Sequence, residues 1–264
     1  MTLTRKVQEN RISYTVNNSR KFIPQYQLNI NAINRCIDFA YAMSFGAQGE
    51  HRANRSGGRK VRSNGEIFCD AFNGKLGEFA IHQYLANQNI YLHEPDLEVY
   101  GRGRWDDTDF LYNGYHLSVK TTKHIGNLLL LERDDWDQNG HYIPNYESPS
   151  GGRYDAIILV RVDSDIVKLF KNNKKYYNNV ITRNELDAML NNFSCSFDIP
   201  GYADLASLQQ IITNNQIIEQ GSYLGQYTRM DATNYYIQSG NLTPISHLIH
   251  QLGETVTGTS KTNK

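Results

Sequence analysis

The sequence predicts an α/β fold in which a central mixed β-sheet is flanked by helices, with an irregular helical C-terminal part. Segments with helical spacing of apolar residues come first, and a hairpin signal follows within residues 108–120. The stretch "YDAIILVRV", residues 154–162, has a continuous apolar run between polar ends, which is typical of a central strand buried on both faces. A helix followed by several strands favours a mixed sheet with helices packed against it.

Composition bounds the size and the class of the protein. With 264 residues, of which 39% are hydrophobic, the chain is long enough for one sizeable domain, and we expect residues 1–264 to form a single one. No run of eighteen apolar residues occurs, so we expect a cytosolic protein without a membrane span. The formal net charge of +0 means that any nucleic-acid site must be a local patch.

The three cysteines indicate neither a disulfide framework nor a zinc site. Cys36, Cys69 and Cys195 are odd in number and far apart in the sequence. We expect them to be ordinary buried thiols.

The predicted elements follow in order along the chain. Apolar residues at three- and four-residue spacing predict a helix over about residues 29–44, and a second helix is predicted from Asn73, a plausible cap. The run "GNLLLLE" predicts a short buried strand that ends at Glu132. In a support or recognition region of about residues 180–250, helices are predicted near 182–191 and 205–218, and the tail, about 255–264, is expected to be disordered.

The segment "TDFLYNGYHLSVK", residues 108–120, predicts a β-hairpin. Asn113-Gly114 favours a type I′ turn, because both central residues of that turn need positive φ. If Tyr112 pairs with Tyr115, the register of the whole hairpin is fixed.

This register brings an acid and a lysine together. Asp109 falls opposite Ser118, and strand alternation puts Asp109, Ser118 and Lys120 on one face while the apolar residues point to the other. Opposed residues lie ~5 Å apart and diagonal neighbours ~7–8 Å, so Asp109 and Lys120 could both reach a divalent ion and a phosphate between them. The Asp109 carboxylate and the Val119 carbonyl are ligands of the kind that Mg²⁺ takes, and Lys120 could orient or deprotonate an attacking water.

Two alternatives stay open for this segment. It could be an edge hairpin whose acid and lysine are merely solvated. Asp106 and Asp107 are also rivals of Asp109, since Asp107 falls opposite Lys120 and a slip of the hairpin would exchange their roles.

Together with the preceding "GKLGEFAIHQYL", the hairpin resembles the PD-(D/E)xK nuclease family, most familiar from type II restriction endonucleases. The resemblance covers a catalytic core of about residues 73–162 and implies a restriction-endonuclease-like sheet. It makes Glu78 the acid of the helix, Asp109 the metal-binding aspartate and Lys120 the lysine. It also implies Mg²⁺ as the cofactor.

Ser118 departs from the family pattern, because it occupies the position usually held by a second acid. Some restriction enzymes of the family have serine there and take the acid from further along the chain, which would be Glu132 here. Glu78 could replace it from the preceding helix. We favour Glu78, because it lies at the border of a packed helix face, where a carboxylate is costly unless it is paired or metal-bound.

A basic loop of residues 51–65 is the candidate DNA-binding segment. Its cations stand among glycine, serine and asparagine with no acid to offset them: Arg52, Arg55, Arg59, Lys60 and Arg62. The loop is either a solvated connection or an arm that contacts phosphates and guanine edges.

The C-terminal third offers a second candidate for contact with DNA. It contains a polar and aromatic cluster that could stack on or wedge into DNA: Tyr223, Tyr227, Arg229, Tyr235 and Tyr236. Tyrosines are more often structural, and the chain has 18 of them.

These features together predict a type II restriction endonuclease, which hydrolyses double-stranded DNA at a specific sequence with Mg²⁺. The resemblance also implies a homodimer, since a palindromic site is met by a two-fold protein. The alternatives are a structure-selective or repair nuclease of the same fold, and a DNA-binding module whose nuclease motif has decayed.

Overall fold

The structure is a computed structural model that describes residues 1–9, 11–24, 26–46, 61–98 and 108–258. Its helices are α1 (Ile30–Ser44), α2 (Asn64–Ala86), α3 (Ile166–Asn172), α4 (Arg183–Leu190), α5 (Leu205–Thr213) and α6 (Ile245–Gly258). Its strands are β1 (Thr4–Gln8), β2 (Arg11–Thr15), β3 (Tyr26–Gln27), β4 (Phe110–Tyr112), β5 (Tyr115–Lys123), β6 (Leu128–Glu132), β7 (Ala156–Asp163), β8 (Ser196–Asp204), β9 (Ile217–Ile218), β10 (Tyr223–Leu224), β11 (Thr228–Arg229) and β12 (Asn234–Gln238). None of the described helices is long and apolar enough to cross a membrane.

A central sheet of five strands has the order β3-β8-β7-β5-β4. The pair β5 and β7 is parallel, whereas the pairs on either side are antiparallel. The predicted mixed α/β class is therefore confirmed. The strand predicted over residues 154–162 is β7, which lies in the middle of the sheet and is buried over all but its last residue.

The central sheet is covered on both faces. Leu117, Val119 and Ile158 point to the main core, which also contains the apolar residues of α1 and α2. Ile157 and Leu159 point to the opposite face, where they pack against the three-stranded sheet β6-β12-β9 and helix α5. Burial on both faces explains the continuous apolar run of β7.

Helix α2 begins nine residues before its predicted start. Ser63 is its cap, and Ser63 and Glu66 form a capping box in which each side chain accepts from the backbone N–H of the other residue. The Asn73 side chain, predicted as the cap, instead accepts a 2.6 Å hydrogen bond from the Ser164 hydroxyl. The prediction was wrong because apolar spacing does not mark the start of this helix, whereas the serine and glutamate of the capping box do.

The C-terminal part is more regular than predicted. Strand β8 belongs to the central sheet, so the sheet extends beyond residues 73–162. The helix predicted over 205–218 ends at Thr213, and Ile217–Ile218 form strand β9, after a left-handed residue at Asn215 with φ of 46°. Helix α6 continues to Gly258, so residues 255–258 of the expected disordered tail are helical, and residues 259–264 lie outside the described residues.

A smaller sheet with the order β1-β2-β10-β11 lies at the periphery. Its inner face contributes Tyr14 to a separate apolar cluster with Leu128, Ile218 and Met230. The three cysteines are free and buried, as predicted, and burial is the main cause that raises the pKa of each thiol.

Candidate active site

The hairpin of β4 and β5 has the predicted turn and register. Asn113 and Gly114 have φ of 48° and 83°, as a type I′ turn requires. Tyr112 pairs with Tyr115, and Phe110 pairs with Leu117. The faces of β5 are therefore those that the sequence predicts.

Backbone pairing between β4 and β5 ends at Phe110, and beyond it two side chains form hydrogen bonds with the backbone of β5. The Thr108 hydroxyl donates to the Leu117 carbonyl over 2.8 Å. The Asp109 carboxylate accepts a 2.6 Å hydrogen bond from the Val119 N–H. Asp109 is thus held against the edge of β5 by a charge-assisted hydrogen bond, next to the position that the register assigned to it.

Asp109 and the Val119 carbonyl lie at the same edge of the sheet. In an extended strand the N–H and the C=O of one residue point to the same side, so the Val119 carbonyl faces the edge where Asp109 is bound. The second carboxylate oxygen of Asp109 has no partner among the described residues. Two oxygen ligands of the kind that Mg²⁺ takes are therefore available side by side.

Ser118 and Lys120 point to the opposite face of β5 from Val119, as alternation requires. Ser118 is buried, with 2% exposure, and pairs with Ile157, while Lys120 pairs with Leu159. Lys120 is half-buried, and its ammonium has no ion pair or hydrogen bond within the described ranges. Strand β4 pairs only with the first residues of β5, from Tyr115 to Leu117. Lys120 therefore lies beyond the end of β4, where β5 is the edge strand of the sheet.

Glu78 lies on the side of α2 that faces this edge. Asn73 bonds Ser164, just after β7, and a Cβ at Gly77 would lie 1.8 Å from the Thr121 hydroxyl of β5. Successive side chains of a helix are about 100° apart around its axis. The side chains of α2 therefore point toward β7 at Asn73, toward β5 at Gly77, and toward the far side of β5 at Glu78. That side is the side of β4, because the sheet order is β7-β5-β4.

Lys75 balances the charge of Glu78. Its ammonium lies 2.7 Å from the carboxylate, and the two side chains are only 10% and 13% exposed. The same ammonium lies 5.0 Å from the centre of the Phe39 ring on α1. A divalent cation at Glu78 would therefore compete with Lys75 for the carboxylate.

Glu132, the other candidate for the second acid, faces away from the hairpin. Leu129 and Leu131 of β6 point to the cluster that packs on the central sheet, whereas Leu128 points to the peripheral cluster. Alternation places Glu132 on the side of Leu128. Of the two acids, Glu78 is the one that lies toward the Asp109 edge.

Most of the basic loop falls outside the described residues, namely Arg52, Arg55, Arg59 and Lys60, and so do Asp106 and Asp107. Arg62 is described, and it forms a 3.1 Å ion pair with Asp70 of α2 in which its side chain is only 16% exposed. Ser63 and Asn64, which were assigned to the loop, are the cap and the first residue of α2.

The tyrosine cluster of the C-terminal third divides into two groups. Tyr235 and Tyr236 are buried on β12, each with 4% exposure. Tyr223 and Arg229 pair across β10 and β11 at the surface, and Tyr227 between these strands is 89% exposed. Only the second group is available to a partner.

Within the described ranges, no group of three or more His, Cys, Asp or Glu side chains has the arrangement of a metal site. The donor set at the hairpin edge consists of one carboxylate and one carbonyl, with Glu78 on the facing side of α2. This set fits Mg²⁺, which keeps several waters and usually takes only one or two protein carboxylates together with substrate phosphates.

Comparisons of the chain with protein-family models, curated proteins and solved structures found no match. Sequence reasoning missed two members of the site, Thr108 and Lys75. The i,i+3 spacing of Lys75 and Glu78 on a helix is a signal that could have found the second.

Proposed function

We propose that this protein is a Mg²⁺-dependent nuclease that hydrolyses phosphodiester bonds in double-stranded DNA at a specific sequence, as type II restriction endonucleases do. The observation that carries the proposal is the hydrogen bond from the Val119 N–H to Asp109. It holds a carboxylate and the Val119 carbonyl at one open edge, with Lys120 as the next residue of the strand.

Each side chain has a separate role in this proposal. Asp109 and the Val119 carbonyl would hold the ion, and Glu78 would supply the second carboxylate. The ion, when bound, polarises a phosphoryl oxygen and activates water. Lys120 positions the attacking water or balances the charge that develops on the phosphate.

The basic loop is proposed to contact DNA phosphates, and a homodimer in the cytoplasm is proposed to meet a palindromic site. Arg62 would have to leave Asp70 to take part, so the other four cations of the loop are the stronger candidates.

The first test is digestion of plasmid DNA with the purified protein and Mg²⁺, followed by sequencing of the ends. We expect cuts at one sequence. Asp109→Asn and Lys120→Ala should each lower the cleavage rate by ~100-fold or more, because each removes a group that stabilises the transition state. Both variants should bind DNA within about tenfold of the wild type, ~1.4 kcal/mol.

Matched control variants are Asp134→Asn and Lys168→Ala, whose side chains are 86% and 72% exposed and lie outside the hairpin. They should cut at the rate of the wild type. Full activity of Asp109→Asn would refute the proposal. Cuts at junctions or damaged sites, with no preferred sequence, would instead favour a structure-selective or repair nuclease of the same fold.

A second candidate function is a DNA-binding module without catalysis. It is favoured by the buried Ser118 and by the lack of a three-ligand cluster among the described residues. Binding of duplex DNA with no cleavage in Mg²⁺ or Mn²⁺ would identify it.

A further inference from the structure

The outer face of the peripheral sheet joins two parts of the chain that are about 210 residues apart. Strand β10 pairs with β2 in a parallel arrangement, with Tyr223 beside Ser13. Ser13 also pairs with Lys6 of β1, and Tyr223 pairs with Arg229 of β11. One row across four strands therefore reads Lys6, Ser13, Tyr223 and Arg229, all on the same face.

This face is basic and is not covered by the described part of the chain. Tyr14 points inward, so its neighbours Ser13 and Thr15 point outward, and Lys6, Arg11 and Arg229 are exposed. Three cations of the strands lie on this face, Lys6, Arg11 and Arg229, whereas Arg5 pairs with the inward-pointing Tyr14. The strands β1, β2, β10 and β11 contain no acid. Since the whole chain has a formal net charge of +0, such a local excess is a real asymmetry.

The two arginines of the face are held by contacts within the sheet. The Arg11 guanidinium stacks on the Tyr223 ring, 3.9 Å from its centre, and donates to the Gln226 carbonyl. Arg229 donates to the Gly221 carbonyl over 3.4 Å. Lys6 and Arg229 stand three strand spacings apart, ~14 Å, which is close to the ~12 Å width of the DNA major groove.

We propose that this outer face binds the phosphate backbone of double-stranded DNA. Lys6 and Arg229 contact the phosphates of the two DNA strands that border one groove. Arg11 and Tyr223 lie between them and face the groove. The proposal rests on the proposed function for its choice of duplex DNA as the partner, but it concerns a surface that is separate from the Asp109 edge.

The test measures DNA binding without cleavage. The affinity of the full-length protein for a labelled duplex is measured by fluorescence anisotropy in EDTA as KCl is raised. Each phosphate contact adds ~0.9 to the slope of log affinity against log salt, so Lys6→Gln/Arg229→Gln should lower that slope by ~1.8. The matched control is Lys168→Gln/Lys174→Gln, which removes two exposed cations near α3 and should leave the slope unchanged.

Each outcome is decisive for the face. An unchanged slope in the Lys6/Arg229 double variant, with unchanged thermal unfolding, would overturn the proposal. So would a wild type that binds single strands or anionic vesicles but no duplex. A lowered slope in the double variant, with no cutting of plasmid DNA by the wild type, would support DNA binding by this face and refute the nuclease proposal. Cutting by the wild type with an unchanged slope in the double variant would support the nuclease proposal and refute DNA binding by this face.

Discussion

Two aspartates lie at opposite edges of the central sheet, and both accept a backbone N–H where a short edge strand stops. Asp198 of β8 accepts from Ile23 over 2.9 Å, beside the two-residue strand β3. Asp109 accepts from Val119 over 2.6 Å, beside the three-residue strand β4. At the first edge the carboxylate belongs to the inner strand, and at the second it belongs to the segment before the edge strand. Both contacts join one carboxylate to one backbone N–H, so the main difference between the edges lies in charge.

Arg161 neutralises Asp198 completely. Its guanidinium donates to both carboxylate oxygens, over 2.8 and 2.6 Å, and its other donors bond the carbonyls of Arg20 and Lys21 and the side chain of Asn127. Arg161 is 1% exposed. Asp109 has no cation bound to it among the described residues, so a metal ion can bind its carboxylate without displacing a cation from Asp109 itself.

The largest effect that distinguishes the two edges is on stability. Asp198→Ala should lower the free energy of unfolding by ~3–5 kcal/mol, because it leaves Arg161 buried without its counter-charge. Asp109→Ala should cost about 1 kcal/mol, since it removes one hydrogen bond at an edge that water reaches. Urea unfolding of the two variants measures both values, and equal losses would show that Asp109 is structural too.

The next effect concerns the acid that replaces the one missing at Ser118. Glu78→Gln should slow cleavage by about 100-fold, ~2.7 kcal/mol, because it removes negative charge from the metal site. Glu132→Gln should leave the rate within about twofold, as Glu132 faces the peripheral cluster, and Ser118→Ala should behave likewise. If Glu132→Gln is the damaging change and Glu78→Gln is not, the second acid comes from further along the chain and the assignment of Glu78 is wrong.

How far the sequence predicts this site depends on the range of the contacts. Asn113-Gly114 specifies its turn locally, and the register then places Asp109 near Val119 with no further information. The position of Glu78 depends on how closely α2 approaches β5, which is decided by the packing of residues about 44 apart, such as Gly77 and Thr121.

The rest of the fold shows the same limit. The strands β7 and β6 follow from their apolar runs. The pairing of β2 with β10 does not, because β2 has only five residues and β10 only two, and the two strands lie at opposite ends of the chain. The cations of β1 and β2 therefore gave no signal as a surface until the tertiary fold brought them beside Tyr223.

The smallest effect tests the close packing of α2 on β5, which brings Glu78 toward the Asp109 edge. A Cβ at Gly77 would lie 1.8 Å from the Thr121 hydroxyl and 2.9 Å from its Cβ, so Gly77→Ala must push α2 away from β5. We expect a loss of ~1–3 kcal/mol in the free energy of unfolding, together with slower cleavage as Glu78 moves.

Gly74→Ala is the matched control for Gly77→Ala, three residues earlier in the same helix. A Cβ at Gly74 would meet no described atom within 4 Å, so the usual preference of helices for alanine should stabilise the protein by ~0.5–1 kcal/mol. Its cleavage rate should stay at the level of the wild type, because α2 keeps its distance from β5. If both variants lose activity to the same extent, the open side of Gly74 is needed for DNA or for the ion. If neither does, then Glu78 acts without close packing of α2 on β5, and the comparison of the two edges reduces to Asp109 alone.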